Sequence, residues 1–326
     1  MRVLVTGVEG FAGRYLAPAA GSRGHQVVGS DRGREAASPL AGHLEDYLPC
    51  DITDYNQVLD LFEKAHPEAV IHLAGQSSGG RSFQNPIEAM EANSSGTRPR
   101  PEAARSHDFK GPIVAVTSSE SYGRISLGRP VDESSPLRPV SPYGVSKAAA
   151  DLTATLYARA YELRVVRARA FSHTGPGQQS VFVAPSWAEQ IARAEAKSDA
   201  GEPGPFVLKV GNLEPVRDLG DVRDVVEAYL DIMERGLAGE AYNVCTGRGI
   251  KLRELIELFR GMAGIELTVE DDPQRMRPTD IPYLVGSTKK INRELGWKPR
   301  YTLEETLAAL LDDWRARVSA PVKEST

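Results

Sequence analysis

The chain is poor in cysteine. Cys50 and Cys245 are the only two in 326 residues, far apart and without CxxC spacing. That argues against a disulfide framework or a cysteine-built zinc site and fits a reducing compartment. A basic excess is also lacking: 39 Lys plus Arg stand against 44 Asp plus Glu, a net charge of −5, with no basic run of useful length. Nucleic acid is therefore not an expected partner. No apolar run approaches the roughly 20 residues that a membrane-spanning helix needs, so no membrane partner is expected. Internal repeats are absent. The chain opens on MRVLVTG, without a charged segment leading into an apolar one, so no signal peptide is expected and a cytoplasmic location is. What is present, 41% hydrophobic and 25% charged residues, is the composition of an ordinary globular protein. The length allows one large α/β domain or two modest ones.

The first half alternates strand and helix patterns. RVLVT (2–6) is a short β-branched apolar run, as expected of a strand buried on both faces. A helix follows from Phe11 to about Ser22, then strand QVVGS (26–30), a helix over 55–66, and strands AVIHLA (69–74) and PIVAVTS (112–118). A long alanine-rich helix runs from Tyr143 to Tyr161, and LRVVRAR (163–169) is another strand. This alternation predicts an α/β fold, a Rossmann-like doubly wound parallel sheet over residues 1–170. After Phe171, glycine and proline cluster at 174–177, 201–205 and 211–215. Helices are expected to shorten, and strand-like pieces (206–210, 241–245, 266–269) lie between them. Residues 171–326 read as a smaller C-terminal α/β substrate-binding lobe, with a segment of about 216–245 returning to the main sheet. Pro99 and Pro101 fall where the helix before strand 112–118 should begin, so that helix is expected to start late, near Pro101, or to kink. The polar tail SAPVKEST (319–326) is expected to fray.

TGVEGFAG (6–13) joins the first strand to the first helix. Gly7, Gly10 and Gly13 allow a tight turn, close approach of a pyrophosphate and close helix–strand packing, and the helix that opens at Phe11 offers free N–H groups to the phosphates. The second strand ends at Ser30-Asp31-Arg32. A carboxylate there accepts from the adenosine ribose and favours NAD, whereas Arg32 admits NADP by pairing with a 2′-phosphate or stacking on adenine. A plain solvated Asp–Arg turn is the competing account. Tyr143 and Lys147 are one helical turn apart and share a face. The ammonium is expected to lower the phenol's pKa toward neutrality and to reach the nicotinamide ribose, with Ser118, at a strand end, holding the substrate oxygen. Glu120, two residues on, offers a carboxylate that suits proton removal next to a ketone.

These stretches together resemble the extended short-chain dehydrogenase/reductases, the family of nucleotide-sugar epimerases, dehydratases and reductases. The resemblance runs through TGVEGFAG, HLAGQSS (72–78), NSSGT (93–97), TSSESYG (117–123), SPYGVSK (141–147) and VRDLGDVRDVVEAY (216–229). FSHTGPGQ (171–178), FVAPSWAEQIARAE (182–195), KVGNLEPVRD (209–218), EAYNVCTG (240–247), RMRPTDIP (275–282) and GWKPR (296–300) resemble a narrower group, the GDP-4-keto-6-deoxy-D-mannose reductases, relatives of the GDP-mannose 4,6-dehydratases.

The resemblance implies that Ser118, Tyr143 and Lys147 are a catalytic triad. It also implies that Phe11 lies on the cofactor loop, that Asp51 and Ile52 bracket adenine, and that Leu73, Ala74 and Gly75 pass along the cofactor. His173 falls at the nicotinamide end, and Ser172, Asn212, Arg217, Arg277 and Asp280 contact the sugar nucleotide. Arginine forks suit a diphosphate. The family usually has asparagine at Ser172, and the RPRP start of the 98–106 helix is also a departure; in the family that helix commonly helps form a homodimer. The implied reaction is NAD(P)H-dependent reduction of the C4 ketone of a GDP-4-keto-6-deoxyhexose, giving GDP-D-rhamnose. A 4,6-dehydratase or 4-epimerase is the enzymic alternative, because the resembling reductases also carry a glutamate at the place of Glu120. A non-catalytic dinucleotide sensor is the remote one, and an intact Ser118/Tyr143/Lys147 set argues against it.

Overall fold

The computed structural model describes residues 1–36, 38–95, 99–125 and 128–320. In chain order the first part contains β1 (Arg2–Thr6), α1 (Phe11–Ser22), β2 (Gln26–Ser30), α2 (Ser38–Ala41), β3 (Asp46–Tyr47), α3 (Tyr55–Ala65), β4 (Ala69–His72), α4 (Gly79–Gln84), α5 (Pro86–Met90), α6 (Pro99–Ser106), β5 (Ile113–Ser118), α7 (Pro142–Ala160) and β6 (Val165–Ala170). There follow β7 (Ser172–Thr174), α8 (Val183–Asp199), β8 (Phe206–Val210), β9 (Val216–Asp221), α9 (Val222–Arg235), β10 (Ala241–Val244), β11 (Gly249–Lys251), α10 (Leu252–Met262), β12 (Leu267–Asp271), β13 (Tyr283–Leu284), α11 (Lys289–Leu295) and α12 (Leu303–Ser319).

Seven strands form one sheet in the order β10-β6-β5-β4-β1-β2-β3, and every pairing is parallel. Side chains alternate along each strand, so each run feeds two cores. Val3 and Val5 join one apolar layer with α1 and α9, while Leu4 joins the other with α3 and α7. Ile71 and Val70, then Val166 and Val165, divide in the same way. That is why these strands are continuously apolar, and it is what a sheet covered on both faces requires. In register, Thr6 pairs with Ser30 and His72, and Ser118 with Ala170, so the loops that follow these strands all leave from one edge. Open α/β sheets bind ligands along that edge.

Two smaller sheets complete the fold. One contains β11, β9 and β13, with β7 on β9; the other pairs β12 with β8. Of segment 216–245, α9 packs against the main sheet and β10 forms its edge, whereas β9 belongs to the smaller sheet. A separate apolar core joins α8, β8, α10 and α12 around Trp187, Leu208, Phe259 and Leu311. The expected shortening of helices after Phe171 does not occur: α8 and α12 have 17 residues each, close to the 19 of α7. The glycine and proline clusters lie between these helices, not within them. Helix α6 begins at Pro99, two residues ahead of the expected start, behind a π-turn at Glu91–Ser95. Both prolines thereby fall in its first turn, where no intrahelical N–H partner is required. The tail residues 321–326 lie outside the described residues.

Candidate active site

The glycine loop has the geometry of a phosphate cradle. Gly7 adopts φ +76°, and a Cβ there would come within 2.5 Å of the Ala74 nitrogen. A Cβ on Gly13 would come within 2.4 Å of the Val8 carbonyl oxygen, so only glycine lets α1 approach the loop so closely. Gly10 caps α1 with no side-chain hydrogen bond, and no acidic residue sits in the first turn, leaving the N-terminal N–H groups and the positive dipole end to an anion. At the end of β2, Asp31 accepts from the Glu9 N–H at 3.3 Å and the Arg32 N–H at 2.8 Å, which turns its carboxylate toward the loop. The Arg32 side chain is exposed. The Cys50 N–H donates to the Asp31 carbonyl, bringing Asp51 and Ile52 beside that corner. The Asp51 carboxyl is held below its ordinary range, first by the Thr53 N–H and hydroxyl and then by the charge of Arg32. Leu73 and Ala74 both donate to the Thr6 carbonyl, which passes the chain past the loop to Gly75. A Cβ on Gly75 would lie 2.4 Å from Asn93 Oδ1 and 3.8 Å from Lys147 Nζ. Phe11 and His173, far apart in sequence, stack with centroids 6.1 Å apart and planes 10° apart. Burial pushes the His173 imidazole below its usual pKa, and its Nδ1 lies 2.9 Å from the Phe171 carbonyl. A cradle that a Cβ would fill, a bare helix N-terminus and a strand-end carboxylate fit a nicotinamide dinucleotide.

Ser118 ends β5 and Tyr143 stands in the first turn of α7, whose N-cap Ser141 accepts the Gly144 N–H at 3.0 Å. Pro142 follows the cap, at a position where its missing N–H costs nothing. Helix geometry and strand end meet: the Tyr143 phenol hydrogen-bonds the Ser118 side chain, whose Oγ also accepts the Glu120 N–H at 3.2 Å. Tyr143 is only 8% exposed. Contrary to the expected lowering by Lys147, its phenol is held well above the ordinary value. Burial is the main cause and the Glu120 carboxylate the second, with the Ser118 hydrogen bond opposing them. Lys147, one turn on, donates to the Val116 carbonyl at 3.2 Å. Helix spacing put the two side chains on one face but contained neither the burial nor the neighbouring carboxylate.

A second group gathers beside the first. Arg217, on β9, donates to the carbonyls of Val216 and Ile281 at 3.0 and 2.6 Å and to Asp280 at 2.5 Å. Burial pushes its guanidinium below the usual pKa, with Asp280 opposing, and the charges of Arg277 and Glu120 also reach it. Arg277 Nη1 lies 3.8 Å from Glu120 Oε1. Arg217, Arg277, Asp280 and Glu120 thus form one cluster next to Ser118 and Tyr143. Asn212 stands apart. It accepts the Glu214 N–H at 3.1 Å and lines a cleft of about 370 Å³ with Leu213, Arg253, Val269, Asp271 and Met276. Ser172 is exposed on β7, and among the described residues its side chain makes no hydrogen bond to the triad.

Sequence reasoning missed the supports of this site. Ser141 Oγ donates to Glu120 Oε2 at 3.0 Å, tying that carboxylate to the cap of α7. Asp151, one turn beyond Lys147 and fully buried, accepts from Thr117, Arg167 and Arg169. Arg169 then reaches the hydroxyl of Tyr122, which closes the 3-10 turn carrying Glu120. The signal was available: a buried strand reading VVRARA carries two arginines, which need a buried carboxylate.

Residues 4–310 match the family described as GDP-mannose 4,6 dehydratase. The chain belongs to that family. Among curated relatives, a GDP-6-deoxy-D-mannose reductase of Pseudomonas aeruginosa is 36% identical over 97% of this chain and 98% of its own length. A GDP-mannose 4,6-dehydratase of Yersinia enterocolitica is 26% identical over 95% and 92%. Among solved structures, RMD from Pseudomonas aeruginosa, complexed with NADPH, superposes with a TM-score of 0.81 at 33% identity, covering 97% of this chain and all of that one. A UDP-glucose 4-epimerase of Thermotoga maritima, solved with UDP-glucose, gives 0.86 at 27% identity, covering 98% and 100%. The parallel seven-stranded sheet described above is the fold shared with these structures.

Proposed function

We propose that this protein reduces the C4 ketone of a GDP-4-keto-6-deoxyhexose with NAD(P)H, forming GDP-D-rhamnose. The observation that carries this reading is the meeting of the buried Tyr143 phenol with the Ser118 side chain at the end of β5, with Lys147 one turn further along α7. A phenol carries a proton at neutral pH, and a ketone oxygen that receives hydride on its carbon must take one up. When bound, the reduced nicotinamide supplies hydride to C4. Tyr143 gives its proton to the oxygen that becomes negative, Ser118 holds that oxygen, and Lys147 lends positive charge from the next turn of α7. Gly7, Gly10, Phe11, Gly13, Asp31, Asp51, Ile52, Leu73, Ala74, Gly75 and His173 hold the cofactor. Arg217, Arg277 and Asp280 hold the diphosphate or sugar, and Asn212 and Ser172 touch the outer parts of the substrate. In this reading residues 1–170, with α9 and β10, bind dinucleotide, and most of 171–326 binds the sugar nucleotide.

A second reading, 4,6-dehydration of GDP-mannose, is favoured by one observation, the Glu120 carboxylate beside Tyr143 and Arg277. A paired assay separates the two. Protein given GDP-4-keto-6-deoxy-D-mannose with NADH or NADPH should consume reduced cofactor stoichiometrically and yield a 6-deoxyhexose by NMR. Conversion of GDP-mannose to the 4-keto sugar without net cofactor change would replace the reductase reading. The working assembly is read as a homodimer in the cytoplasm, supported by the exposed apolar stripe of Val145, Leu152 and Leu156 on α7 and by Ile87 on neighbouring α5.

A further inference from the structure

Arg277 and Glu120 meet where the loop before β13 crosses the 3-10 turn after β5. At 3.8 Å the contact lies beyond hydrogen-bond reach, so charge alone holds it. Among the described residues, Arg277 has no other carboxylate at ion-pair distance and no hydrogen-bond acceptor on its guanidinium. Arg217 is the contrast, with two carbonyls and Asp280 already on its fork. Of the two arginines, Arg277 is the one whose donors an incoming anion takes without breaking a close ion pair. Its side chain is 37% exposed, that of Glu120 23%. The loop itself is fixed: Thr279 donates to the Val140 carbonyl at 2.9 Å, and Ile281 packs with Tyr122 and Phe171. Gly79 leaves the room, since a Cβ there would lie 2.8 Å from Glu120 Oε1 and 3.3 Å from Arg277 Nη1.

We propose that Glu120 is a stand-in anion: it holds Arg277 at the mouth of the site until a nucleoside diphosphate takes the guanidinium, and the exchange turns Glu120 Oε1 over to the sugar. This rests on the reading of Arg277 as a diphosphate ligand given above. A bidentate arginine–phosphate contact is stronger than a charge pair at this separation, so the exchange runs toward the ligand. Ser141 keeps Oε2 throughout, which lets Oε1 change partners while the carboxylate stays in place. The consequence is order. The carboxylate is neutralised in the resting site and faces the sugar only after the diphosphate has arrived.

The test is calorimetric titration of GDP into the full chain and into Glu120→Gln, Arg277→Gln and the double variant, each checked for a native melt. Glu120→Gln should tighten GDP about twofold to fivefold, the size of a partly exposed charge pair, and should change nothing when Arg277 is already Gln. Equal tightening in both backgrounds overturns the proposal, because Glu120 would then only repel phosphate; so does no tightening in either. Arg277→Gln with wild-type GDP affinity removes instead the reading of Arg277 as a ligand. If UDP binds and GDP does not, the same cycle run with UDP decides, and binding of neither overturns both.

Discussion

The role proposed for Tyr143 rests on a single oxygen. Tyr143→Phe keeps the ring in its buried place and removes the proton, so turnover should fall by about 10²–10⁴-fold, the usual contribution of a general acid. The affinity for NADPH by fluorescence titration should change little, since the proposed phosphate and adenosine contacts lie on the glycine loop and beyond the ends of β2 and β4, away from the phenol. Full activity in that variant would sink the assignment. Asp31 makes a different prediction. Its carboxylate faces the loop at the end of β2, and on the reading that it disfavours a 2′-phosphate, Asp31→Ala should shift the ratio of kcat/KM for NADH over NADPH toward NADPH by roughly tenfold, ~1.4 kcal/mol. An unchanged ratio would leave Arg32, or neither residue, as the discriminator. At this scale much was legible. The glycines and the Ser118/Tyr143/Lys147 set were readable from type and spacing, whereas both arginines were singled out only through family resemblance. The direction of the Tyr143 shift was not readable, because it depends on burial and on a carboxylate brought in by a separate turn.

Helix α7 carries two jobs on two faces. Tyr143, Lys147 and Asp151 stand one turn apart on the inner side, while Val145, Leu152 and Leu156 are exposed, Leu152 to 62%. The proposed homodimer rests on this exposed apolar stripe, a type of surface at which chains associate. Leu152→Glu combined with Leu156→Glu should convert a dimer to a monomer in sedimentation equilibrium; a wild-type chain that sediments as a monomer would remove the homodimer reading outright. The long elements were readable because periodicity accumulates over many residues. The two-residue strands β3 and β13 carry none, and they form only because a neighbouring strand offers free carbonyls and N–H groups. Helix α8 was underestimated for the opposite reason: glycine and proline crowd the segments on both sides of it, at 174–177 and 201–205, and mask an uninterrupted interior.

The molecule as a whole is tied together through Asp151. Burial alone would push its carboxyl up, but the hydrogen bonds and charge of Arg169, then of Arg167, overcome this and hold it below the usual range. Because the native pKa is depressed, the stabilisation is present above the unfolded value of about 3.9 and is lost as pH falls through the lower native value. Melts followed from ~pH 5 to ~pH 2 should show this loss, and Asp151→Asn should flatten that part of the profile. The same variant leaves Arg169 buried against a neutral amide, so urea unfolding should show a loss of about 3–5 kcal/mol. A smaller loss would mean that water or Tyr122 compensates. The parallel sheet was legible from the alternation of strands and helices. The return of a segment near 216–245 to that sheet was expected, but that β9 pairs in the smaller sheet while α9 and β10 join the larger one was not, since strand pairing over such distances leaves no local pattern. That distribution bears on how the chain is made. Strand β10 closes one edge of the main sheet, and Val225, Val226, Tyr229 and Met233 of α9 cover one of its faces, yet all of them lie after residue 220. A ribosome that has released only the first 170 residues has therefore delivered a sheet with one apolar face covered only in part, by α1, and with one edge open, a client for holding chaperones until the later segment emerges.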